Sequence, residues 1–377
     1  MHILFYLTRY PGVGGIENVT NIIASRLLED NKVSILSHCH QEGVKFVNGV
    51  TTYYMPDSST WVTKDNIKYV RDLFQSEKFD VIIYQDSYAP TEQIVCELAT
   101  SYKIPLYVFE HNSPLFVYNK RNLDSIFSWK GFLRRLLHPY LLHKEVQRKR
   151  YLLEHVTKYI LLSKKFIPEF CNLIGVEESD RRISYINNPI VPINHSEIIK
   201  KENIILCVSR LAKEKCVDKM LVMWKDLSMY LPDWRFIIVG DGPERQRLEQ
   251  YTIAHCMDRV EFIGFANPTE YYEKAKIFWM TSKFEGWGMT LIESMQHGCV
   301  PIAFNTFSSI TDIIDKSNGF LVKPNDNQTF INRTLKLATN EDIYVEFSMC
   351  AKKKVEQFNI DLIIDKWNKL LRNECLD

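Results

Sequence analysis

Residues 282–304 read SKFEGWGMTLIESMQHGCVPIAF, and the run before them, IFWMTS (277–282), is short and apolar. The first run reads as a buried strand, and Gly286 and Gly288 bracket a turn. A helix starts near Thr290, and VPIAF (300–304) reads as a second strand. Two short strands joined through a helix run parallel, so this stretch predicts a parallel α/β sheet.

The same alternation extends outward in both directions. In the second half, NIILCVS (203–209), WRFIIVGDG (234–242) and VEFIGF (260–265) are β-branched or aromatic runs with helical stretches between them. The first half repeats the pattern with a strand at 2–7, a glycine loop at 11–15 and a helix near 16–29. KVSIL, DVIIYQ (80–85) and PLYVFEH (105–111) follow. Ile16, Val19, Ile22, Ile23 and Leu27 mark one face of that helix. SYINNPIVPINHSEI (184–198), with its prolines and asparagines, reads as a linker. The expected fold class is therefore α/β, as two facing doubly wound Rossmann-like domains. Residues 1–188 and 189–357 form the two domains, with a ligand cleft at the strand C-terminal ends.

The chain has 377 residues, is 46% apolar and carries a net charge of +1. That is a globular composition without the strong positive field of a nucleic-acid binder, and no binding motif for nucleic acid occurs. Nine cysteines are scattered without a C-x-x-C pair, which suits a reducing, cytoplasmic compartment. No stretch is long and apolar enough to span a bilayer.

Glu285 and Glu293 stand on either side of the Gly-x-Gly turn. Glu293 has a structural reading as the last member of a capping box, Thr290-x-x-Glu293, worth ~1 kcal/mol. Glu285, at a strand exit, has none. A phosphate held on the N–H groups of Thr290 and Leu291 would lie between two carboxylates able to accept from sugar and ribose hydroxyls, a spacing that suits a nucleotide sugar. Arg210 follows the strand 203–209 and Lys215 lies five residues on. A guanidinium and an ammonium so placed can hold a diphosphate. In RYPGVGGIENV, Gly12, Gly14 and Gly15 allow close backbone approach at a strand-to-helix turn, but Glu17 stands where a dinucleotide fingerprint needs glycine. VGDGPER (239–245) reads as turn chemistry alone. No D-x-D occurs, and the carboxylates and histidines show no other metal-ligand pattern.

GVGGIE (12–17), SRLAKEK (209–215), VGDGPER, VEFIGF, EGWGMTLIE (285–293), HGCVPIAF and NGFLV (318–322) occur in the order found in one family. On these motifs the chain resembles the family-4 retaining glycosyltransferases of two-domain GT-B architecture. The resemblance covers nearly the whole chain and implies the following roles. Gly14 and Gly15 would let the first-domain loop approach the donor phosphate. Arg210 and Lys215 would hold the diphosphate and stabilise the leaving group. Glu285 would bind the transferred sugar, helped by backbone N–H groups around Gly286, Gly288 and Met289. Thr290 and Leu291 would offer N–H groups to phosphate, and Glu293 would bind the ribose. His111 would line the sugar site, and the backbone at Ile263 and Gly264 would read the base. The tail 358–377 would cross back to the first domain.

The activity implied is retaining transfer of a sugar from a UDP- or GDP-linked donor to a glycan acceptor, expected to be lipid-linked, in surface polysaccharide synthesis. No cofactor and no metal are expected. Cys216, where the family commonly has glycine, and the glycine-free loop 304–314 leave donor identity open. A nucleotide-sugar epimerase or a glycoside phosphorylase on the same fold stays an alternative, as does a non-catalytic glycan-binding scaffold.

Residues 120–150 hold nine Lys or Arg against Asp124 and Glu145. Phe132, Leu133, Leu136, Leu137, Tyr140 and Leu141 recur among them at helical spacing, with Phe127 and Trp129 before them. This could meet an anionic membrane surface, with peripheral attachment at the inner face of the plasma membrane, or be an ordinary core-facing helix. Pro139 is expected to interrupt it.

Overall fold

In a computed structural model, residues 1–44, 47–58, 63–85, 91–121, 123, 128–193 and 200–374 are described. Asp124 and Phe127 of the basic segment, residues 194–198 of the linker and 375–377 of the tail lie outside them. The chain divides into a unit of Met1–Val191 with Phe358–Asp377 and a unit of Pro192–Gln357.

The first unit is built on β1 (His2–Arg9), whose sequence HILFYLTR is buried over its first six residues. A strand apolar on both faces belongs in the middle of a parallel sheet. β1 pairs in parallel with both β2 (Lys32–Cys39) and β4 (Val81–Tyr84). Beyond them lie β3 (Thr51–Tyr54), β5 (Leu106–Glu110), β6 (Lys158–Leu161) and β7 (Ile183–Tyr185), in the order β3-β2-β1-β4-β5-β6-β7. The order reverses direction between β1 and β4, which opens a crevice at their C-terminal ends.

The second unit repeats the plan with six strands. These are β8 (Glu202–Val208), β9 (Arg235–Val239), β10 (Val260–Gly264), β11 (Ala275–Met280), β12 (Val300–Phe304) and β13 (Phe320–Val322). Their order is β10-β9-β8-β11-β12-β13, with every pairing parallel. The switch point here lies between β8 and β11. Trp224, Phe236, Trp279 and Phe330 fill the core, with Trp279 edge-on to Phe330 at 5.3 Å.

The last helix, Ile360–Leu371, packs in the first unit. Trp367 stacks on Phe109 with centroids 4.3 Å apart and an 8° tilt. The Tyr107 hydroxyl donates to the Leu370 carbonyl (2.9 Å). Ile190 and Phe358–Ile360 exchange backbone bonds, Ile190 N–H to Phe358 O at 2.8 Å and Ile360 N–H to Ile190 O at 2.9 Å.

The helix Trp129–His155 runs 27 residues straight through Pro139. The expected interruption does not occur. A proline removes one ladder bond, and the flanking turns of a helix this long hold it in place. The basic segment is also less basic at its surface than its composition suggests. Lys149 is buried and paired with Glu110 and Glu145, and Arg148 is mostly buried beside Glu92 (3.4 Å) and Glu145 (3.9 Å). Among the described residues no helix is long and apolar enough to cross a membrane.

Candidate active site

The switch point of the second unit is where its chemistry collects. The chain leaving β8 carries Arg210 and Lys215, and the chain leaving β11 carries Glu285 and then Glu293. The two loops are stitched together. The Lys283 N–H donates to the Glu214 carbonyl (2.7 Å), and the Thr281 hydroxyl donates to the Cys216 carbonyl (2.9 Å). This backbone lacing brings Lys215 Nζ to 2.6 Å from Glu285 Oε1, both side chains mostly buried. Arg210 is 67% exposed and pairs with Glu214 on the same loop. Burial alone would raise the Glu214 carboxyl, but a backbone N–H and Arg210 hold it below its ordinary value. Each predicted cation thus stands against a carboxylate.

The helix Met289–Gln296 starts from Gly288, which is its N-cap at φ +86°. A side chain there would be strained in the left-handed region. Thr290 therefore sits inside the first turn, and the capping box expected from Thr290-x-x-Glu293 does not form. Glu293 instead accepts from the Tyr272 hydroxyl (2.9 Å). Burial raises the Glu293 carboxyl, and the Tyr272 bond only partly opposes this. Its folded value therefore lies above its unfolded one. Glu293 favours folding fully below the unfolded value, and that contribution is lost as pH rises through the folded one.

The Leu291 N–H is already engaged by the Gly288 carbonyl (3.0 Å). The first-turn donors left for an anion are those of Met289 and Thr290 rather than Leu291. The Gly264 carbonyl likewise accepts from the Gly240 N–H (2.7 Å), and Ile263 beside it is half-buried. Loop 239–245 is structural as read. A Cβ on Gly240, at φ +133°, would lie 1.9 Å from the Ser209 carbonyl oxygen.

Gly14, Gly15 and His111 belong to the first unit. Gly14 is the N-cap of the helix Gly15–Leu27, and a Cβ there would meet only the carboxylate end of the Glu17 side chain, which can swing aside. A Cβ on Gly15 would meet nothing within 4 Å. Internal packing requires glycine at neither position. His111 follows β5 directly and is buried, with Nε2 unpartnered. Burial pushes its pKa down to about 4 despite neighbouring Glu110, so the ring is neutral at working pH. Among the described residues no group of three or more His, Cys, Asp or Glu side chains could hold a metal ion.

Sequence reasoning missed Tyr272 and Glu214. Tyr272 lies 21 residues before Glu293, across β11, and no spacing rule connects them. Glu214 lies four residues after Arg210, but the stretch is a loop and a 3-10 turn, so helical spacing gave no signal for the pair.

Residues 193–354, nearly all of the second unit, match the family described as glycosyl transferases group 1. HepE of Anabaena, solved with UDP and glucose, superposes with a TM-score of 0.78 at 16% identity, covering 99% of this chain and 100% of that one. The fold is GT-B. Sequence likeness points the same way as the GT-B architecture. An uncharacterized glycosyltransferase of Haemophilus influenzae is 32% identical over 190 residues, 49% of this chain and 54% of its own. The chain spans about half the length of the first curated relatives it matches. The α-1,4-N-acetyl-D-galactosaminyltransferase of Campylobacter jejuni, named for a diNAcBac-PP-undecaprenol-linked acceptor, is 26% identical with 95% of both chains covered.

Proposed function

We propose that this protein is a retaining, metal-independent glycosyltransferase that moves a sugar from a UDP- or GDP-linked donor to a lipid-linked glycan acceptor in surface polysaccharide synthesis. The observation that carries the reading is the Lys215–Glu285 pair at the β8/β11 switch point, with Arg210 and Glu293 on the same two connections.

Breaking the bond between the anomeric carbon and phosphate builds positive charge on the sugar and negative charge on the diphosphate. Arg210, Lys215 and the N–H groups of Met289 and Thr290 are fixed donors for the negative end, and such preorganised charge is usually the largest catalytic term. A donor diphosphate would draw Lys215 off Glu285 and free that carboxylate for sugar hydroxyls. Glu293, held by Tyr272, would take the ribose. With two cations doing this work, no divalent ion is assigned a role. Gly14, Gly15 and the neutral His111 keep the donor and sugar roles that the resemblance implies. Retention follows from attack on the face the diphosphate leaves, with the departing phosphate taking the acceptor proton. Similarity to the Campylobacter enzyme along the whole chain supports a lipid-linked acceptor. The cysteines Cys39, Cys96, Cys171, Cys207, Cys216, Cys256, Cys299 and Cys350 are free thiols, which supports a cytoplasmic site of action.

The test is thermal stabilisation by UDP, GDP, ADP and their sugars in excess EDTA. A ligand at 100 times its Kd adds about 2.7 kcal/mol when it binds only the folded state. A shift selective for one nucleotide, surviving EDTA and weakened in Glu293→Ala, is expected. No shift with any nucleotide refutes the reading, and a shift only with added metal refutes the account of the leaving group.

A further inference from the structure

The first half of the helix Trp129–His155 turns its apolar residues outward, the reverse of a core helix. Its buried side is Gly131, His138 and Lys149, followed by Leu152 and Leu153 near its end. At 100° per residue these lie on one face. The opposite face carries Trp129, Phe132, Leu136 and Tyr140, which are 74%, 53%, 64% and 55% exposed. Leu133, Leu137 and Leu141 are exposed beside them. The most apolar stripe of the helix therefore points into solvent over three turns. Contiguous exposed apolar surface of this kind marks a docking face.

Its charge selects the occupant. Residues 129–144 contain no Asp or Glu. Lys130 and Lys144 are exposed at the flanks of the stripe, and the Lys144 ammonium lies 4.8 Å over the Tyr140 ring. An apolar stripe with Trp and Tyr, flanked by lysines and free of carboxylates, fits the boundary between acyl chains and anionic headgroups.

We propose that the outward face from Trp129 to Lys144 docks this protein on an anionic lipid surface. This goes beyond the transferase reading and stands without it. The stripe enters the headgroup boundary and the two lysines meet lipid phosphates. The binding is peripheral.

Flotation of the full-length protein with vesicles of phosphatidylcholine, with and without phosphatidylglycerol, tests this. Binding is expected to the mixed vesicles and to weaken with salt. Each cation near the surface is worth roughly fivefold in affinity, so Lys130→Glu with Lys144→Glu should cost at least about 25-fold. Leu136→Asp with Tyr140→Asp should abolish binding, with an unchanged thermal midpoint since both positions are exposed. The proposal is overturned if the wild type does not float, or if both double variants float as well as the wild type. It is also overturned if sedimentation shows a self-associated form that both variants dissolve, because the face then belongs to a second copy of the chain.

Discussion

Lys149→Met should be among the most damaging single substitutions in the first unit. The Lys149 side chain is 2% exposed, and its ammonium donates to Glu110 and lies 3.1 Å from Glu145. The Tyr159 hydroxyl completes the cluster, 2.8 Å from Glu110 Oε2. Burial pushes the Glu110 carboxyl up, yet Lys149 and Tyr159 bring it below its ordinary value. Burial lowers the Lys149 ammonium, and the two carboxylates more than restore it. Methionine fills the same channel but strands the Glu110 charge, a loss of about 3–5 kcal/mol. For a unit of this size each kcal/mol moves the midpoint by about 2–4 °C, so a fall of roughly 6–20 °C is expected. The carboxylate contribution is present above the unfolded Glu110 value and is lost as pH falls through the folded one, so the deficit should shrink in acid. Adding Glu110→Gln removes the stranded charge and should recover most of the loss. Thermal unfolding of the single and double variants across pH is the assay. A single-variant cost below about 1 kcal/mol, or a double variant no better than the single, refutes the reasoning.

Lys215→Ala should lower kcat by about 100-fold in sugar transfer while the fold stays intact, since a fixed donor at the leaving group acts chiefly in the transition state. Steady-state kinetics beside a melting curve check this. His111, with its pKa pushed down to about 4 by burial, should stay uncharged through neutral and mildly acidic pH and titrate only near 4, as NMR of the ring protons would report. Deleting 358–377 removes the Trp367–Phe109 stack and the Tyr107 bond, and loss of the buried Trp367 alone should cost about 3–5 kcal/mol, read from denaturant midpoints. Gly240→Ala should destabilise the second unit, because its Cβ would lie 1.9 Å from the Ser209 carbonyl oxygen.

The sequence by itself determined the α/β class and the positions of the candidate site residues in the second unit. Strand-length apolar runs, glycine turns and helical spacing are local properties, and they placed Arg210, Lys215 and Glu285 after strand ends and Glu293 in the following helix before any strand order was known. The switch point between β8 and β11 came only from pairing over long sequence distance, and it brings the loops carrying Lys215 and Glu285 together. Partners were equally out of reach. Glu293 met Tyr272 instead of completing a capping box, because Gly288 at φ +86° moved the helix start. The segment 120–150 shows the limit most directly. Its spacing and charge were legible, but which side of the helix was buried was not. Tertiary packing turned Gly131 and His138 inward, took Lys149 into an ion cluster, and left Trp129, Leu136 and Tyr140 facing water. Periodicity defines a face, and only the neighbours a helix packs against decide where that face points.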